Sequence, residues 1–446
     1  MMRWEQLLQD TRLGMEDYHV KSVGRTDFQR DYDRLIFSAP FRRLQNKTQV
    51  FPLPGKVFVH NRLTHSLEVA CVGRSLGNNV GRILREKYPQ SEATFEEIGS
   101  IVAAACLAHD MGNPPFGHSG ERAISAYFNE GHGAKYREEV ISEGGRWSDF
   151  GHFEGNANAF RLLTHSFKGR RSGGFALTYS TLASIVKYPY PSHCALALRK
   201  KKYGYFQTEE QTYANIADRL GIPIVEEDNG ILLHARYPLV YLVEAADDIC
   251  YQIMDMEDAF KLKLIDEKEV KDIMSRFLSP EKTDNVQKTM DRVTDKNEQI
   301  AYIRSVVIGT LVEECTRVFA ENEEAILGGT FKGALTDNLS TQVQAAFKYC
   351  AETAKTKVYC AREVKDIEMA GFTIFADLLE RLIIAQKYPQ RAYSQLWFGR
   401  VPEQYNLKHA TLYGKIQTAL DYISGMTDIY ALDLYRTLTG MSLPAV

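Results

Sequence analysis

Ile98-Gly-Ser-Ile-Val-Ala-Ala-Ala-Cys-Leu-Ala-His109-Asp110-Met-Gly-Asn-Pro-Pro-Phe-Gly-His118-Ser-Gly-Glu121 divides into two halves of opposite character. In the first half, Ile98, Ile101, Val102, Ala105 and Ala108 return at steps of three and four, the period that lines apolar side chains along one helix face. In the second, Pro114, Pro115 and the glycines stop the helix, because proline lacks the N–H donor and its ring clashes with the preceding turn. The break leaves His109 and Asp110 at the edge of a core, where polar side chains can form a site. Gly112 to Gly120 reads as a loop.

The helical period recurs on both sides of this stretch. It runs from Leu63 to about Leu84 through Val69, Val72, Leu76 and Val80, and returns from Phe153 to Leu163, Thr181 to Lys187, Leu239 to Met254, Glu298 to Ala320, and Thr373 to Ala385. Strand signals are confined to Lys202-Tyr-Gly-Tyr-Phe and Gly230-Ile-Leu-Leu-His, which predict a small hairpin or two short strands. The fold expected is mainly α. Loops or lids are also expected over Glu130 to Gly151 and Ser279 to Lys296. The latter either separates two regions, residues 1–278 and 279–446, or forms a long helix with a solvated face.

With 446 residues, 44% of them hydrophobic, the chain can bury a large core, and a formal net charge of -3 gives no reason to expect a general nucleic-acid or membrane binder. No basic segment followed by an apolar run opens the chain, and no membrane-length apolar run occurs, so a cytoplasmic protein is expected. Cys71, Cys106, Cys194, Cys250, Cys315, Cys350 and Cys360 show no C-x-x-C spacing; most read as buried small hydrophobes in a reducing compartment.

Arg62-Leu-Thr-His65 opens one apolar-periodic helix, and Glu244-Ala-Ala-Asp247-Asp248 lies inside another. Carboxylates within so apolar a segment are costly without partners, and a metal ion is one such partner. His65, His109, Asp110 and Asp247 together offer two imidazoles and two carboxylates, a set suited to Mn²⁺, Mg²⁺ or another first-row divalent ion. Without thiolates, a closed structural zinc site is not expected. His118 and Glu121 sit three apart, so the carboxylate can reach back and orient the imidazole for acid or base work. The same residues also read as a helix start, with Ser119 as cap and Glu121 as a first-turn acid.

Phe41-Arg-Arg-Leu-Gln-Asn-Lys-Thr-Gln-Val-Phe-Pro52, Asn61-Arg-Leu-Thr-His-Ser-Leu-Glu-Val69, His109 through Glu121 and Glu244-Ala-Ala-Asp-Asp-Ile249 resemble, in order, the motifs of the bacterial dGTP triphosphohydrolases. These belong to the HD-domain phosphohydrolases, whose signature is H…HD…D. The similarity is dense from about Asp31 to Asp258, and Val358-Tyr-Cys-Ala-Arg-Glu-Val-Lys-Asp-Ile-Glu-Met-Ala-Gly371 is similar to a C-terminal family segment. The resemblance implies an HD-domain helical core with a C-terminal helical region. It implies one divalent metal held by His65, His109, Asp110 and Asp247, with Mn or Mg favoured and Fe, Co or Ni accommodated. Asp247 is chosen over Asp248 because it shares a helix face with Tyr251 and Asp255; Asp248 then reads as a surface carboxylate.

The same resemblance implies roles for further residues. His118 and Glu121 form the catalytic pair. Arg62 contacts the α-phosphate, while Lys187, which closes a helix, and Lys202 hold phosphate oxygens. Gln49, Val50, Tyr251 and Asp255 surround the sugar, with Asn156 nearby. A tyrosine ring against C2′ would leave no space for a ribose hydroxyl. Tyr359, Val364 and Glu368 reach the base, often from a neighbouring subunit, and Glu368 suits guanine N1–H and its 2-amino group. The implied reaction converts dGTP and water to deoxyguanosine and tripolyphosphate in a homo-oligomer, with a dNTP or single-stranded DNA as a further effector and no membrane partner. Alternatives are a broad-specificity or dNTP-activated triphosphohydrolase, and a non-catalytic nucleotide or single-stranded DNA sensing module.

Overall fold

The computed structural model describes residues 1–17, 24–51 and 59–442, and among them the chain is mainly helical with one two-stranded sheet. Pro52, which ends the first family-like stretch, lies outside the described residues. The elements that position the site are α1 (Asp27–Ile36), α2 (Arg62–Lys87), α3 (Ile98–Ala108), α4 (Gly117–Asn129), α5 (Gly155–Thr164), α6 (Tyr179–Ile185), β1 (Ile224–Asp228), β2 (Ile231–His234), α7 (Val240–Lys261), α8 (Pro280–Met290), α9 (Lys296–Glu321), α10 (Arg362–Lys387), α11 (Leu412–Ser424) and α12 (Asp428–Leu438).

Helix α2 starts where it does because Asn61 caps it. The Asn61 side chain accepts from the Thr64 N–H at 3.0 Å, and the Thr64 hydroxyl accepts from the Asn61 N–H at 3.1 Å. Its face toward α3 carries Gly73, Gly77 and Gly81 at steps of four. A Cβ at Gly77 would lie 2.8 Å from the Cα of Gly99, and one at Gly73 would lie 2.5 Å from Cys106 Sγ. The two helices therefore pack antiparallel at a separation only glycine permits, which brings the first turn of α2 beside the end of α3. Helix α7 packs across both, and α9 backs α2 and α7.

Two apolar clusters result. One gathers α2, α3, α7 and α9; the other gathers α4, α10, α11 and α12. The segment from Asp110 to Gly117 runs along their seam: Met111 belongs to the first cluster, and Phe116 packs against the second.

Several sequence expectations need correcting. The Lys202 segment forms no strand; β2 pairs instead with β1, Asp228 opposite Ile231 across Asn229-Gly230. Both turn residues have positive φ, 51° and 83°, the conformation a two-residue hairpin turn requires. Of the two readings of Ser279 to Lys296 the helical one holds over Pro280–Met290, because Ser279 caps α8, Pro280 takes its first position, and Val286 and Met290 are buried. Helix α7 extends to Lys261 and α10 begins at Arg362, so both outrun their apolar patterns. The Gly112 to Gly120 loop ends early, at the start of α4, and Glu130 to Gly151 holds short helical turns at His132–Tyr136, Arg137–Ser142 and Ser148–Gly151. Five of the seven cysteines are buried, as expected, with Cys71 and Cys360 exposed. Among the described residues no helix is long and apolar enough to cross a membrane.

Candidate active site

His65 from the first turn of α2, His109 from the end of α3 and Asp247 from the middle of α7 converge, their ligand atoms all within 4.8 Å of one another. His65 Nε2 lies 3.1 Å and His109 Nε2 3.5 Å from Asp247 Oδ1. His109 Nδ1 donates to the Cys106 carbonyl at 2.6 Å, so Nε2 is the nitrogen turned toward Asp247; burial opposes the ring's charge, but Asp110 and Asp247 raise its pKa to about 9. That Nε2 is buried with no hydrogen-bond partner. An orphaned buried ring nitrogen beside a carboxylate and a second imidazole is unfavourable until a cation takes the place of its proton, so these residues fit a divalent cation.

Asp110 stands beside this trio without joining it. Its Oδ2 accepts from Arg62 Nη1 at 2.6 Å, its Oδ1 accepts from the Asn113 amide, and Oδ1 lies 3.7 Å from His109 Nε2. Burial opposes ionisation of both acids. Arg62 and the imidazoles outweigh it at Asp110, and the two imidazoles outweigh it at Asp247, so both carboxyls titrate below the usual range.

The turn into α4 delivers His118. Phe116 and Gly117 are left-handed, with φ 61° and 56°, and a side chain on Gly117 would strike the Arg62 guanidinium. Ser119 is not the cap; Phe116 occupies that position and no side chain caps the helix. The turn is fixed from elsewhere. Asp428, first residue of α12, accepts from the Phe116 N–H at 2.9 Å and the Thr48 N–H at 2.8 Å. Lys47 is buried and donates to the carbonyls of Asn113 at 2.6 Å and Ser424 at 2.7 Å.

His118 Nδ1 lies 2.7 Å from Glu121 Oε2, while Glu121 Oε1 accepts from the Gly155 N–H at 2.8 Å. The His118 side chain is 61% exposed and that of Glu121 only 10%, so the pair presents an imidazole to the cavity from a fixed base. The Glu121 charge and hydrogen bond raise the His118 pKa despite partial burial. Burial would raise Glu121, but the His118 charge and hydrogen bond hold its carboxyl low. The arrangement suits proton transfer at His118 Nε2.

A cavity of about 300 Å³ connects these groups, lined by Arg62, His109, Asp110, His118, Asp247 and the sequence-expected Gln49, Asn156, Lys187, Lys202 and Tyr251. Lys187 pairs with Glu244 at 3.1 Å and Lys202 with Glu154 at 2.7 Å. Lys187 lies beyond α6, which ends at Ile185, and so does not close that helix as expected. Asn156 donates to Glu154 at 2.5 Å. Gln49 Oε1 and Arg62 Nε are buried without partners, and Val50 packs against the first apolar cluster.

The Tyr251 ring stacks on Tyr359 with centroids 5.8 Å apart, and the Tyr359 hydroxyl donates to Asp255 at 2.7 Å. Burial pushes the Asp255 carboxyl up to about 8. Asp248 is no surface carboxylate: it lines the cavity, accepts from Thr336 at 2.7 Å, and is pushed by burial up to about 7. Tyr359 and Val364 lie behind the cavity wall, and Glu368 pairs with Arg122 at 2.9 Å, so none of the three lines the cavity within this chain.

Sequence reasoning assigned no role to Asn113, Glu154, Tyr188 or Glu244, which line the cavity or hold its cations. Asn113, one helical step past Asp110, carried a local signal; Glu154 carried none, because its partner Lys202 lies far along the chain.

A helical core that gathers imidazoles and a carboxylate from three helices, with arginine and lysines facing them, is the arrangement expected of the HD-domain class. The family model described as HD domain matches residues 62–221. Deoxyguanosinetriphosphate triphosphohydrolase-like proteins of Pseudomonas aeruginosa and Synechocystis sp. are 37% and 36% identical, covering 100% and 99% of this chain and 100% of each relative. The deoxyguanosinetriphosphate triphosphohydrolase of Yersinia enterocolitica is 30% identical over 95% of both chains. The chain belongs to the HD-domain deoxyguanosinetriphosphate triphosphohydrolase family.

Proposed function

We propose that the protein hydrolyses a deoxynucleoside triphosphate, preferentially dGTP, to the deoxynucleoside and tripolyphosphate. The observation that carries this reading is one cavity lined by His109 and Asp247 of the candidate metal trio, by His118 held from behind by Glu121, and by three cations, Arg62, Lys187 and Lys202. A single-phosphate ester would leave some of those cations unused; a triphosphate engages them all.

His65, His109 and Asp247 would hold one divalent ion, Mn²⁺ or Mg²⁺, with Asp110 beside them to complete the set. Such an ion supplies Lewis acidity, making water a stronger nucleophile at neutral pH and offsetting charge on the phosphoryl oxygens. Arg62, fixed by Asp110, stabilises the extra charge on the α-phosphoryl group. Lys187 and Lys202 hold the remaining phosphates. His118 protonates the departing O5′ from Nε2, while Glu121 keeps the imidazole oriented and charged until the proton leaves. Tyr251 packs under the sugar, where Gln49 recognises the 3′-hydroxyl, while Asp255 behind it holds the Tyr359 ring against Tyr251.

Residues 1–278 supply this chemistry, and residues 279–446 contribute the Tyr359, Val364 and Glu368 segment. Because those three side chains do not line the cavity within one chain, a second subunit is the source of the base contacts, and a cytoplasmic homo-oligomer is the assembly proposed. Incubating metal-loaded protein with each dNTP, singly and in pairs, and identifying products by mass tests the reading. Deoxyguanosine with tripolyphosphate supports it; stepwise loss of single phosphates, or no turnover of any dNTP, refutes it. Comparable turnover of all four, or turnover only in mixtures, would replace the dGTP preference by broad or activated specificity.

A further inference from the structure

Behind the wall formed by Lys187 and Glu244 lies a second cavity of about 660 Å³, which shares Lys187, Tyr188, Lys202 and Glu244 with the catalytic one. Its cations are Lys187, Lys200, Lys202, Arg236 and Lys332. Against them stand three carboxylates, Glu226, Glu244 and Asp337, so five cations outnumber three acids in the lining. The remaining field is positive, and it adjoins the place where a triphosphate would lie.

The connecting side chain is Glu244. One oxygen takes Lys187 at 3.1 Å and the other takes Arg236 at 2.5 Å, so a single carboxylate joins a cation that lines both cavities to one that lines only the second. Burial opposes its ionisation, but Lys187 and Arg236 keep its pKa low. The Arg236 guanidinium lies 4.2 Å from the centre of the Tyr241 ring and donates to the Gly333 carbonyl at 3.2 Å, and its Nε is buried without a partner. The arginine is thus locked in orientation with one donor unspent. Exposed Lys200 and Lys332 continue the positive lining outward.

We propose that this second cavity receives inorganic polyphosphate, the anionic product, as it leaves the catalytic cavity. Polyphosphate oxygens compete with Glu244 for Lys187 and Arg236, and the anion passes across the wall from one set of cations to the next. The nucleoside, uncharged after cleavage, has no use for this route. The inference rests on the triphosphohydrolase reading for its ligand, though the cavity and its cations stand without it.

Calorimetric titration with inorganic tripolyphosphate, in excess Mg²⁺ so that chelation does not strip the protein, tests the proposal. Arg236→Gln, with the exposed Lys332→Gln as a second variant, should each weaken tripolyphosphate binding, Arg236→Gln by about tenfold. Inhibition of turnover by added tripolyphosphate should weaken in parallel, while KM for dGTP stays within about twofold. Unchanged tripolyphosphate affinity in both variants overturns the proposal. A KM that rises in step with the tripolyphosphate Kd also overturns it, because the cavity would then hold the terminal phosphates of the substrate. Weakened tripolyphosphate binding in a protein that hydrolyses no dNTP supports the site while refuting the proposed function.

Discussion

Gly155 offers a perturbation whose cost should fall on catalysis and spare the fold. It opens α5 with ordinary backbone geometry, and its N–H bonds Glu121 Oε1 at 2.8 Å. A Cβ there would lie 2.6 Å from Glu121 Oε1 and closer still to Asn113 Oδ1. Restoring an ordinary carbon–oxygen contact of ~3.4 Å requires the Glu121 oxygen to retreat by roughly 0.8 Å. The His118–Glu121 distance of 2.7 Å would then stretch beyond good hydrogen-bond length unless the imidazole moved too. Both atoms in the way are ends of side chains, so the fold can yield, at a cost of about 1–3 kcal/mol for overpacking. The catalytic geometry cannot yield so easily, since a misplacement near 1 Å costs about a hundredfold. For Gly155→Ala, kcat should therefore fall ~30- to 100-fold with a small change in Tm and unchanged metal content, checked by steady-state kinetics beside calorimetry. Turnover within twofold of wild type would show that the His118–Glu121 geometry does not govern the reaction.

Further predictions bear on the proton, the metal and the sugar. Because the Glu121 charge is the largest cause of the raised His118 pKa, Glu121→Gln should lower that pKa and move the alkaline limb of the kcat profile to lower pH; an unmoved limb would remove His118 as the acid. Metal removal should abolish turnover and lower Tm, and Mn²⁺ at a hundredfold excess over its Kd should restore about 2.7 kcal/mol of stability; a Tm indifferent to metal, in protein shown to be metal-free at the start, would sink the site built on His65, His109 and Asp247. Tyr251→Ala should cut the preference for dGTP over GTP by about tenfold or more, measured as a ratio of kcat/KM values, and an unchanged ratio would discard the tyrosine as sugar gate.

What the sequence disclosed depended on whether the determining contact was local. The apolar period gave α2 and α3 nearly to the residue, and the Pro-Pro-Phe-Gly break located the edge on which His109 sits, because both signals act within a few residues. The Asn229-Gly230 turn was equally local and was passed over in favour of Lys202, whose aromatic neighbours imitate a strand. Ser279 to Lys296 reads equally as a loop or as a solvated helix because its charged residues mask a helix that buries only Val286 and Met290. The site's long-range ties carried no signal. Nothing within a few residues marks Asp428, which holds the backbone of Thr48 and Phe116, or Lys47, which is buried against the carbonyls of Asn113 and Ser424. Asp248 was given to solvent because helix periodicity cannot show that Thr336 and a cavity wall cover that face.

The charges of the cavity solve two problems at once. Arg62, Lys187 and Lys202 each sit against a carboxylate, Asp110, Glu244 and Glu154 respectively, at 2.6, 3.1 and 2.7 Å. A buried cation without such a partner would lose its proton or leave the interior. Paired, the two lysines have pKa values raised above the ordinary range, so each remains an ammonium at neutral pH. The pairing also sets a threshold for ligands. An anion gains from these cations only by competing with carboxylates already in contact, and a singly charged group has little advantage over the acid it would displace. A triphosphate brings several charges on linked oxygens and meets all three cations in one binding event, so its attraction is summed where that of separate small anions is not. Under the proposed function, selectivity for a polyanion would follow from the same ion pairs that keep buried Arg62 and half-buried Lys187 and Lys202 charged, and substituting any one of the three carboxylates should loosen that selectivity before it unfolds the chain.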